Sequence, residues 1–118
     1  RGMAAFCQGS RSQDLVGFDV DGDAPPRVLV SDLPGMHPTV LPGMQSLVVD
    51  VADRQTGRCT ISLVSLADGR RTDVAIFDHA KLDHNEGHHP HPVLSRDGKR
   101  VYFNAMDDGV CRLYELAL

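Results

Sequence analysis

Residues 91–118 read HPVLSRDGKRVYFNAMDDGVCRLYELAL. A short HPVL run is followed by Asp97-Gly98, then by two longer runs rich in β-branched and aromatic residues that flank Asp108-Gly109. Asp-Gly between alternating apolar runs signals a hairpin, because both residues tolerate positive φ. The stretch therefore predicts a meander of antiparallel strands. The same order of features occurs once before it. His37-Pro38-Thr39-Val40 lies over His91-Pro92-Val93-Leu94, and LVVDVAD (47–53) over VYFNAMD (101–107), both at an offset of 54. TGRCTISLVSL (56–66) lies over DGVCRLYELAL (108–118) at an offset of 52, the difference being a shorter hairpin in the second copy. An incomplete third copy precedes residue 36. There MAAFCQG and DLVGFDV (14–20) read as strands, and VDGDAPPRVLVSD (20–32) matches LADGRRTDVAIFD (66–78).

No segment shows a sustained 3.6-residue apolar period, so the chain reads as all-β. Strands are expected at about 3–8, 14–20 and 27–31, then 38–41, 46–52, 59–65 and 72–77, then 92–94, 100–105 and 111–117. Four-stranded units recurring at this spacing are the signature of β-propeller blades. The expected division is 1–35 as a partial blade whose inner first strand is missing, 36–80 as a complete blade, and 81–118 as a linker with a histidine cluster followed by a C-terminal partial blade. About two and a half antiparallel blades cannot close a ring, so missing N-terminal blades or sister chains are expected to complete it. Of these, the C-terminal piece of a longer propeller is the favoured expectation.

The formal charge is −4 over 118 residues, with no Lys/Arg block to neutralise phosphates. A nucleic-acid partner or an anionic membrane surface is not expected, and no apolar run is long enough to span a bilayer. The three cysteines, Cys7, Cys59 and Cys111, cannot all pair, and none stands in a C-x-x-C spacing. Reduced thiols and a cytoplasmic setting are therefore expected. Cys59 and Cys111 fall at the starts of third strands, where small buried thiols are common. Arg11 and the Arg70/Arg71 pair could hold a carboxylate, though exposed turn charges are the simpler reading.

Residues 84–92, HNEGHHPHP, hold four of the six histidines. His89 and His91 both precede proline, which disfavours helical angles and pushes each towards an extended conformation. On an extended segment residues i and i+2 share a face, so the two imidazoles can converge while His88 points away. Pro90 and Pro92 stiffen the segment. Gly87 permits a turn that brings Glu86 back beside the pair. His37 stands at the equivalent point of the preceding repeat, and in a propeller the first strands of all blades line the central channel, so His37 would meet His89 and His91 there. Nitrogen ligands with one carboxylate suit manganese, iron, zinc or nickel better than calcium or magnesium. A solvated polar loop is the alternative for the cluster, and a structural channel residue the alternative for His37. His79 and His84 read as exposed bystanders.

The Ser95-x-Asp97-Gly98-Lys99 turn with its flanking strands resembles the repeat of TolB-type propellers. The segment Glu86-x-x-His89-x-His91, with its H-P-H-P core, resembles more narrowly the C-terminal metal-binding segment of oligogalacturonate lyases, seven-bladed propellers that have Gln where this chain has Glu86. The resemblance implies a carbon–oxygen lyase in the full-length protein. It would cleave short galacturonate oligosaccharides by β-elimination with a divalent transition metal, manganese being the expected ion. It implies His37, Glu86, His89 and His91 as metal ligands. The catalytic base of that family is a histidine assisted by an arginine on earlier blades, so this segment is expected to be inactive in isolation. A non-catalytic TolB-like propeller that binds a protein or peptide is the competing expectation.

Overall fold

The computed structural model describes residues 3–8, 13–19, 22–33, 35–40, 43, 45–53, 55–78 and 89–118. Its strands lie within one or two residues of the positions expected from the repeat, and no described residue is helical. Two compact units, Arg1–Pro34 and Gly35–Leu118, make up the chain. The first contains an antiparallel sheet of order β1-β2-β3, formed by Met3–Gln8, Gln13–Asp19 and Arg27–Leu33. Among the residues whose burial is described, Leu15, Val30 and Leu33 are its buried apolar side chains.

The second unit holds two antiparallel sheets. Strands β4 (Met36–Val40), β5 (Ser46–Asp53), β6 (Arg58–Ser65) and β7 (Arg71–Asp78) form a four-stranded meander in sequence order. Strands β8 (Val93–Leu94), β9 (Arg100–Asp107) and β10 (Val110–Ala117) form a three-stranded one. Asp107 pairs with Val110, leaving Asp108 (φ 49°) and Gly109 (φ 75°) as a two-residue loop. Both central residues at positive φ match the twist of the flanking strands. This is the blade architecture that the repeat predicts.

The core joins the two sheets. Val48 and Ile61 of the first pack with Leu94, Val101, Phe103 and Ala105 of the second. Phe103 stacks between Phe77 and Tyr114, at ring-centroid distances of 5.3 and 5.9 Å. Strand β5 is buried on both faces from Leu47 to Asp50, as expected of a strand inside a layered stack. Each such aliphatic side chain contributes about 1.5–3 kcal/mol on leaving water.

The two third-strand cysteines differ. Cys59 on β6 is fully buried, covered by β5 and β7, whereas Cys111 on β10 is exposed. The expectation of a buried thiol fails at Cys111 because, among the described residues, β10 has only β9 as a strand neighbour. Burial, and after it the nearby Asp50 carboxylate, push the Cys59 thiol up to about 12. The thiolate is the reactive form. Iodoacetamide at mildly alkaline pH is therefore expected to label Cys111 and leave Cys59 unmodified until the chain unfolds, as read by peptide mass spectrometry. Because the folded thiol holds its proton longer than the unfolded one, this group makes the fold less stable as pH rises in alkali.

Candidate metal centre

The site lies at the entrance to the first strand of each blade in the second unit. Gly35 opens β4 at φ 134°, and a Cβ there would stand 2.6 Å from the Asp50 carbonyl oxygen. Only glycine permits this approach of β4 to β5. Met36 then pairs with Asp50 and Thr39 with Val48, so three steps on β4 oppose two on β5. The extra residue makes a β-bulge, a device that re-aims a side chain. His37 sits within it at φ 50°.

His91 occupies the corresponding place in the next repeat, at φ 44°. The Asn104 backbone N–H donates to the Pro90 carbonyl at 2.8 Å, joining residues equivalent to Asp50 and Met36. The Thr39 hydroxyl donates to the Pro92 carbonyl at 2.8 Å, tying the entrance of one blade to that of the next. Pro90 and Pro92 are fully buried, while His91 between them is exposed. Prolines thus anchor the segment and present the histidine.

These angles correct the extended conformation expected of His91 from its following proline. The proline ring excludes the right-handed helical region, and here the backbone escapes into the left-handed one rather than the β region. Histidine is among the residues enriched there. The i, i+2 same-face argument for His89 and His91 therefore does not describe the segment. The rings are nevertheless brought together by the turn, with centroids 5.7 Å apart and edge to face.

His37 completes the group. Its ring centroid lies 4.0 Å from that of His91 and 5.2 Å from that of His89. Behind it, the Asp50 carboxylate is 1% exposed, and its two oxygens lie 3.0 and 3.2 Å from His37 Nδ1. Burial pushes the Asp50 carboxyl above the ordinary carboxylate range, offset in part by the charge and hydrogen bond of His37 and by the charge of His91. A carboxyl in that setting needs a partner. Asp50 was not among the residues singled out from sequence, although a lone acid inside the apolar run LVVDV was a signal for it.

Glu86, with His79, His84 and His88, lies outside the described residues. So does Arg11. Arg71 is held by Asp73 at 2.7 Å and by the Ser62 hydroxyl at 3.1 Å. Among the described residues, no three His, Cys, Asp or Glu side chains stand arranged to hold a metal ion. The donor chemistry nonetheless suits one: three imidazoles lie together, one of them with Nδ1 facing a buried carboxylate and Nε2 on the other side of the ring.

No protein-family model and no curated protein sequence matches the chain. Among solved structures it is similar to an oligogalacturonate lyase in complex with manganese, with a TM-score of 0.74 and 23% identity over 96% of this chain and 30% of that one. It is also similar to TolB from Acinetobacter baumannii, with a TM-score of 0.67 and 23% identity over 98% of this chain and 27% of that one. The chain thus spans less than a third of either protein. At this identity the likeness establishes the fold, that of consecutive β-propeller blades.

Proposed function

We propose that the chain is the metal-binding part of a longer, seven-bladed enzyme that cleaves short galacturonate oligosaccharides by β-elimination. The proximity of three imidazoles, with the His37 ring centroid 4.0 Å from that of His91 and 5.2 Å from that of His89, and Asp50 behind His37, is the observation that supports this reading. His37, His89 and His91 would supply nitrogen ligands and Glu86 an oxygen; manganese is the proposed ion. When bound, such an ion supplies Lewis acidity to a uronate carboxylate and so makes the C5 proton easier to remove.

The residues of this chain do the holding and orienting. Buried Pro90 and Pro92 fix the His89/His91 segment, and the bulge at Met36–Thr39 fixes His37. The base that removes the C5 proton as the C4 oxygen leaves is proposed to lie on other blades, so the segment alone should not turn over.

The test uses the full-length protein. Elemental analysis of the purified enzyme should find a transition metal near one equivalent, and digalacturonate should develop the ultraviolet absorbance of an unsaturated uronate, both lost on chelation. Metal without the absorbance change would point to a different sugar acid. Neither metal nor absorbance change would sink the lyase reading. It would favour a propeller that binds a protein or peptide, the reading that the equally extensive likeness to TolB supports.

A further inference from the structure

Asp50 is a carboxylate buried at the centre of β5, in a run whose three preceding residues, Leu47, Val48 and Val49, are fully buried. The fold does not demand an acid there. In the next repeat the equivalent position on β9 is Asn104, and the same backbone arrangement stands around it: Asn104 N–H to the Pro90 carbonyl, then His91 at φ 44° where the first copy has His37 at φ 50°. An uncharged residue therefore accompanies the same left-handed histidine in the second copy. What distinguishes the first copy is that both carboxylate oxygens of Asp50 face one nitrogen, His37 Nδ1. Two oxygens around one ring nitrogen allow the carboxylate to receive a single N–H from it.

We propose that Asp50 is a positioning residue: by accepting the Nδ1 hydrogen of His37 it fixes the tautomer that leaves Nε2 with its lone pair available to an ion held with His89 and His91. The inference rests on the metal-binding reading above. A carboxylate behind a ligating histidine orients the ring and raises its basicity, and removing such a partner weakens metal affinity by about 10–100-fold. Which ring nitrogen carries the hydrogen is set by the partner of the other.

The experiment compares full-length wild type with Asp50→Asn, both labelled with 15N-histidine and stripped of metal. His37 in the wild type should show a protonated Nδ1 and an unprotonated Nε2, assigned by the signal missing from a His37→Gln variant. In Asp50→Asn, whose amide can donate as well as accept, the Nε2–H form should appear, and manganese affinity by titration should fall by about 10–100-fold. A wild-type His37 carrying its hydrogen on Nε2 overturns the proposal, and this measurement decides even where the variant does not fold. A folded variant with unchanged tautomer and unchanged affinity overturns it too. A wild type that binds no manganese yet shows the Nδ1–H form removes the metal reading and leaves Asp50 as the group that sets the His37 tautomer.

Discussion

If the proposed metal reading holds, full-length protein carrying His89→Ala together with His91→Ala is expected to purify without a transition metal that the wild type retains, while remaining folded. Two of the four proposed ligands are lost, leaving His37 and Glu86, fewer than the three or four protein ligands that usually hold such an ion. The fold should survive because neither ring belongs to the core: His91 is exposed, His89 is half-buried, and the anchoring prolines stay in place. Alanine at the left-handed backbone of residue 91 should add only a small part of the roughly 1–2 kcal/mol that this conformation costs an L-residue, because the histidine it replaces already adopts it. Elemental analysis beside a thermal melt separates the two effects. Metal retained at wild-type stoichiometry in a folded double variant would dismiss these histidines as ligands.

The other large effect belongs to the core. Ile61→Ala should lower unfolding free energy by about 2–5 kcal/mol, a large share of the 5–15 kcal/mol that folded proteins commonly hold. Ile61 is fully buried on β6, between β5 and β7, and packs in the cluster that joins the two sheets of the second unit. Its removal leaves a cavity whose walls, two hydrogen-bonded sheets, cannot close inward. Ile76, one strand away on β7, is 55% exposed, and Ile76→Ala should stay within about 0.5 kcal/mol. Urea midpoints of the two variants against wild type make the comparison. Equal shifts would mean that the two sheets do not share this core.

The strand plan was legible because a repeat displays its period twice, and because Asp-Gly pairs mark hairpins by a local backbone requirement. Asp108-Gly109 adopts the two positive φ angles that its type implies. The meeting of His37 with His89 and His91 was legible too, since it follows from repeat-equivalent His-Pro pairs at strand entrances. Three features were not. The left-handed backbone of His37 and His91 depends on a bulge, which no pattern of apolar residues encodes. Asp50 stands out in the sequence only as an acid inside the apolar run LVVDV, and its facing of His37 becomes evident with the fold. The exposure of Cys111 turns on which strands lie beside β10, a property of neighbours rather than of the residue.

The left-handed backbone at His37 has its counterpart at His91, in the His-Pro pair of the next repeat, although His89 stands there where the first copy has Gly35. A histidine placed in this way travels with its blade. Repetition of one such unit would place a second imidazole at the equivalent point of the next blade. The copies differ at one telling place: Asp50 in the first stands where Asn104 stands in the second, so one repeated backbone feature presents two histidines while a buried carboxylate backs only His37.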